Sequence, residues 1–98
     1  GMHGAAAYAH FLSGDYDMAS SCAESAMRDN RIFLLPICVY AASKALAAQP
    51  EPARKGVDLA LKYNPGLRIS NLRDLAAFRR DEDFAAFTSG LRKAGLPE

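Results

Sequence analysis

Alanine recurs in this chain at a fixed stride. Ala19 and Ala53 are 34 residues apart, and so are Ala26 and Ala60. Within each copy the two alanines are seven positions apart. Seven positions make about two helical turns, so both alanines lie on one face. The settings match as well: Asp15-Tyr16-Asp17-Met18 precedes the first pair and Pro50-Glu51-Pro52 the second. A period of this length, with small residues on one helical face, describes a helix–turn–helix unit used twice. Antiparallel helices approach closely where no bulky side chain separates them, which is the physical reason for the alanines. Composition agrees: alanine supplies 19 residues, whereas Val, Ile and Thr together supply 6. Alanine loses no side-chain entropy in a helix and β-branched residues do. At 98 residues the chain is one domain with a modest core.

The punctuation predicts helices throughout. Ala5–Leu12 is apolar or small on nearly every side. Gly14 suits the left-handed position after it, and Asp15 or Asp17 caps the next helix, expected over Asp17–Arg28. Asp29-Asn30-Arg31 breaks that helix. A third starts near Phe33 to Leu35, with Pro36 tolerated in its first turn, and ends around Ala48. A fourth is expected over Pro52–Tyr63, stopped by Asn64-Pro65-Gly66. A short helix over Asn71–Phe78 follows, capped by Ser70. The last is expected over Glu82–Ala94, capped by Asp81 and stopped by Gly95.

Gly14-Asp15-Tyr16-Asp17-x-Ala19, with Ala26 beyond it, resembles the turn and second helix of the tetratricopeptide repeat. In the second copy Ala53, Ala60 and Pro65 are similar to that family's two small positions and terminal proline. Both copies are degenerate. His3 and Ile37 stand at the early aromatic position, Ala6-Ala7 and Tyr40-Ala41 at the Leu-Gly pair, and Arg31 at the first terminal proline. The resemblance implies an all-α, tetratricopeptide-like stack of antiparallel helical hairpins. Repeat 1 spans about 1–31, repeat 2 about 33–66, and a C-terminal capping segment about 67–98.

It also implies a partner-binding groove on the inner faces of the first helices. In repeat 1 these positions are Gly4, Ala5, Tyr8, Phe11 and Leu12; in repeat 2 they are Leu35, Cys38, Val39, Ala42, Ala45 and Leu46. None is the Lys, Arg or Asn with which the family's carboxylate-clamp members hold a peptide terminus. A wall this apolar requires cover. Phe84, Phe87, Leu91 and Ala94, spaced by 3, 4 and 3, form an apolar stripe on the last helix. This helix is expected either to fold back over the repeats or to pack against a second copy, which leaves a homodimer open. Burying two Phe and one Leu contributes roughly 5–8 kcal/mol before ordering entropy. Removing everything after Arg80 is therefore expected to leave the chain aggregated or unfolded.

A closer resemblance covers nearly the whole chain. Ala9-His10-Phe11-Leu12-x-Gly14-x-Tyr16-Asp17 is similar to the helical repeats that follow the catalytic domain in many proteobacterial class III adenylate/guanylate cyclases. Also similar are the stretch from Asn64-Pro65-Gly66-Leu67-Arg68-Ile69-Ser70 through Asn71-Leu72-Arg73, then Phe78-Arg79-Arg80-x-Glu82-Asp83, and the ending from Gly90 to Glu98. The resemblance implies the C-terminal regulatory or assembly segment of a signalling protein. The cyclase's metal-binding aspartates and base-reading residues have no counterpart in this chain. Gly1 before Met2 reads as the scar of a removed expression tag, so that Met2 is either a native or an engineered start.

The residues offer no chemistry of their own. His3 and His10 are seven apart, too far to chelate one ion as an i, i+4 pair does. Asp15 and Asp17, and likewise Asp81-Glu82-Asp83, read as helix starts rather than acid–base pairs. Arg68, Arg73, Arg79 and Arg80 are interleaved with Asp74 and Asp81, which suits local ion pairs. The glycines form no phosphate loop. With a net charge of +1 there is no broad field for nucleic acid or an anionic membrane, and no apolar run approaches a membrane span. Cys22 and Cys38 are 16 apart, outside any metal-ligand spacing, and a disulfide requires their helices to face each other. With no signal-peptide pattern, a cytoplasmic setting is the expectation. The sequence thus reads as a non-catalytic module, with no cofactor or metal, that holds a protein partner, a neighbouring domain or a second copy. The alternative is a regulatory fragment that tunes a cyclase through dimer geometry.

Overall fold

The computed structural model of the chain describes residues 2–29, 34–72 and 80–98, and the side chains there except at 2–6 and 29. Among the described residues there are five α-helices, one 3-10 turn and no strand. The helices are α1 (Met2–Leu12), α2 (Tyr16–Asp29), α3 (Leu34–Leu46), α4 (Pro50–Tyr63) and α5 (Asp81–Ala94); the 3-10 turn is Ile69–Asn71. The described residues are all-α, as composition and periodicity predict.

Helix ends follow the local chemistry, with some departures from the sequence reading. Asp15 Oδ1 accepts the Met18 N–H at 3.2 Å, so Asp15 rather than Asp17 caps α2. Helix α3 stops at Leu46 instead of Ala48, because Ala48 takes a left-handed φ of 61°. Helix α4 begins at Pro50 instead of Pro52, since a proline is well suited to the first helical position, where no N–H is needed. Asp81 is not the cap of α5. Arg80 holds that position in an extended conformation, and Asp81, Glu82 and Asp83 form the first helical turn, where negative charge meets the positive end of the dipole. Ser70 lies inside the 3-10 turn, and the short helix it is expected to cap falls, beyond Leu72, outside the described residues. Asn71 organises that turn, accepting the Arg68 N–H at Oδ1 (2.9 Å) and donating from Nδ2 to the Gly66 carbonyl (2.9 Å). The expected break at Asn30-Arg31, the start at Phe33, and positions 73–78 of the short helix lie outside the described residues.

Packing centres on α3, which contacts every other described helix; α1 also packs on α2, and α4 on α5. Connections as short as the one between α1 and α2 force the chain to reverse, so successive helices lie side by side. The stride of 34 appears as burial: Ala19, Ala23 and Ala26 on α2 match Ala53, Val57 and Ala60 on α4, and all six are buried. Gly56 of α4 sits directly on α3, where a β-carbon would lie 2.9 Å from that of Ala41. One apolar cluster runs from Ala7 to Leu96 and includes the buried side chains of α5.

Candidate functional site

The apolar wall read from the sequence is covered by the chain's own last helix. Phe87 of α5 meets Phe11 of α1 edge-on, with ring centroids 5.8 Å apart and planes at 87°. Phe11 also touches Tyr16, at 5.6 Å. One turn further on, Gly90 rests on the backbone of Ala42 in α3. Helix α5 therefore touches α1 and α3 of its own chain.

The expected groove residues divide by accessibility. Phe11, Cys38, Val39 and Ala42 are buried in one cluster with Phe87 and Leu91. These four are core positions in the folded chain and are not available to a partner while α5 is seated. Tyr8, Leu35, Ala45, Leu46 and Phe84 are half-buried at the margins, and Leu12 is exposed. The side chains of Gly4 and Ala5 lie outside those described, as does that of His3. Phe84 faces the margin, whereas Phe87, Leu91 and Ala94 point inward as their spacing predicts.

Burial pushes the Cys38 thiol up to about 12, so it stays protonated and unreactive. Both cysteines are free, Cys22 half-buried and Cys38 buried. Burial, and secondarily the negative charge of Glu24, raises the Tyr40 hydroxyl above its ordinary value. The Lys44 ammonium lies 5.8 Å from the centre of the Tyr40 ring. Among the described residues no group of three or more His, Cys, Asp or Glu could hold a metal ion. No helix there is long and apolar enough to cross a membrane. The basic residues act locally: Arg68 donates to the Pro65 and Leu67 carbonyls, and Arg80 pairs with Glu82 at 2.8 Å. Arg73 and Arg79 lie outside the described residues.

Two open clefts were not read from the sequence. One, of about 360 Å³, lies between the ends of α2 and α4, with Ile37 of α3 as its floor and Glu24, Met27, Arg28, Leu59, Lys62 and Tyr63 as its walls. Glu24 and Arg28 pair across one helical turn at 3.0 Å. A signal for these walls existed: Glu24 and Asp58, and Arg28 and Lys62, keep the stride of 34 on the outward faces. The other, of about 390 Å³, lies between the α1–α2 and α3–α4 turns, beside Asp15, Asp17 and Gln49.

No family model, curated protein or solved structure matches the chain.

Proposed function

We propose that this chain is a non-catalytic, tetratricopeptide-like interaction module whose α1–α3 wall accepts an amphipathic helix. The observation that carries this reading is α5 itself. Its aromatic and leucine stripe, interrupted by a glycine at the crossing, is seated against Phe11 and Ala42. A wall that buries one such helix has the shape and apolarity for another of the same pattern, supplied by a protein partner, a neighbouring domain or a second copy. Polar groups at the margins set register rather than affinity.

The test uses a fluorescent peptide of residues 80–98 and the full-length chain. Saturable binding that disappears when Phe84, Phe87 and Leu91 of the peptide are replaced by alanine supports the reading. Equal binding by both peptides overturns it, and so does the absence of binding by either to a full-length chain in which Leu96→Asp has loosened α5. Turnover of a nucleoside triphosphate by the purified chain would separately refute a non-catalytic role.

A second reading takes the chain as the regulatory C-terminal part of a class III nucleotide cyclase or a related signalling protein. Its support is that two stretches carrying that resemblance are joined: the Ile69 and Ser70 N–H groups donate to the Pro97 and Glu98 carbonyls. Sequencing the reading frame upstream of Met2 tests it; continuation into a domain of neither cyclase nor signalling character would remove it.

A further inference from the structure

The finish of helix α5 is tied to the rest of the fold. At its start Arg80 makes no side-chain cap. At its finish Gly95, at φ 107°, turns the chain back, and the Leu96 N–H donates to the Leu91 carbonyl at 3.0 Å. Leu96 then enters the core cluster that includes Leu67 and Ile69. Beyond it the Ile69 N–H donates to the Pro97 carbonyl at 2.9 Å, and the Ser70 N–H to that of Glu98 at 3.3 Å. The Glu98 carboxylate accepts two hydrogen bonds from Arg92, from Nε at 2.6 Å and Nη2 at 3.0 Å. The last turn of α5 is thereby tied to the Asn71-organised turn that follows α4.

We propose that Gly95–Glu98 is a clasp that keeps α5 on the wall, making the chain's own last helix an autoinhibitor of helix binding there. The inference rests on the reading of the wall as a helix receptor. Most of the clasp is peripheral. The Arg92 and Glu98 side chains are more than half exposed, so their pairing is weak in water. The backbone bonds number two, and Leu96 is the single side chain that the clasp inserts into the core. A small local change can therefore release it while the contacts among α1, α2, α3 and α4 persist. Once free, α5 uncovers Phe11 and Ala42, on which its Phe87 and Gly90 rest.

The experiment uses the full chain carrying Leu96→Asp, with the gentler Leu96→Ala in case the first does not fold. Amide exchange in α5 should run about 10- to 100-fold faster, while buried amides of α2 and α4 keep their rates. The labelled peptide of residues 80–98 should bind tighter by a similar factor, because apparent affinity scales with the open fraction. Unchanged exchange in α5 would overturn the clasp, and so would equal acceleration in α2 and α4, since α5 would then not open separately. Faster exchange in α5 without peptide binding would leave the clasp standing and remove the receptor reading, and with it autoinhibition.

Discussion

Gly14 and Ala48, 34 residues apart, occupy the same place in two helix ends, with φ of 82° and 61°. At each, the residue's N–H bonds three residues back, to Phe11 or Ala45, and the next N–H bonds five back, to His10 or Lys44. This is the paired closure in which a left-handed residue satisfies the last carbonyls of a helix. Glycine adopts that conformation freely, whereas alanine pays roughly 1–2 kcal/mol for it. Ala48→Gly should accordingly stabilise the chain by about 1 kcal/mol, despite the added entropy of an unfolded glycine. A urea midpoint that stays put or falls would show that Ala48 is not strained.

Gly90 allows α5 to touch the α3 backbone. A β-carbon there would lie 2.8 Å from the Ala42 carbonyl oxygen and 2.9 Å from its β-carbon. An ordinary helical Gly→Ala change gains roughly 0.5–1 kcal/mol. Gly90→Ala should instead lose about 1–3 kcal/mol, because backbone must move to admit the methyl group. Gly56→Ala meets the Ala41 β-carbon at 2.9 Å, the Tyr40 ring at 3.1 Å and the Ala41 α-carbon at 3.2 Å, so α3 must shift there too, but no contact is as short as that of Gly90 with the Ala42 carbonyl oxygen. Its loss should be the smaller of the two by urea denaturation. A more stable Gly90→Ala variant would mean that α5 does not sit where the structure puts it.

What the sequence made legible follows from periodicity. Small residues on one helical face can only be inward, so Ala19, Ala26, Ala53 and Ala60 could be placed in the core without knowing their neighbours. The same holds for Phe87, Leu91 and Ala94. Periodicity does not say what lies opposite a face. Cys38, Val39 and Ala42 read equally well as groove or core, and only packing across the fold decides between them. The cap of α5 was misread because acidic residues are favoured both at the cap and in the first turn. The end of α3 was misread because no glycine marks Ala48. The cleft over Ile37 needs the spacing between α2 and α4, which no local pattern encodes.

Phe87 and Phe84 share a helix face but not an environment. Phe87 is fully buried against Phe11, whereas Phe84 is half-buried. Phe87→Ala should cost about 3–5 kcal/mol through lost transfer energy and the cavity left behind. Phe84→Ala should cost less than half of that. Phe87→Leu keeps most of the volume and isolates the edge-on ring contact, worth roughly 0.5–1.5 kcal/mol. Equal losses from the two alanine variants in chemical denaturation would contradict the way α5 is seated.

Cys38 and Cys22 should differ in reactivity. At pH 8 a thiol reagent should modify half-buried Cys22 readily and leave Cys38 intact, since the Cys38 thiol is pushed to about 12 by burial. Both should react in denaturant. Because the folded value lies above the ordinary 9.0, this group's stabilising contribution is complete below pH 9 and fades as pH rises towards 12. Cys38→Ala should flatten that alkaline decline. Rapid modification of Cys38 in the folded chain would place it in contact with solvent.

Acid should loosen the clasp through Glu98. Hydrogen bonds from Arg92 hold its carboxyl below the ordinary 4.5, with the guanidinium charge acting in the same direction and desolvation opposing both. Arg92 is its ion-pair partner, and Arg54, paired with Asp58, lies close to Gly95. A lowered folded value means that the stabilisation is present above the ordinary carboxylate range. It is lost as pH falls through the folded value. Glu98→Gln keeps the shape but not the charge. At pH 7 its α5 amides should exchange faster than those of the unsubstituted chain, and the gap should close below the pH at which Glu98 takes up its proton. Other carboxylates titrate equally in both proteins, so the comparison isolates this one. A gap that persists unchanged at low pH would mean that the charge of Glu98 does not help to hold α5 down.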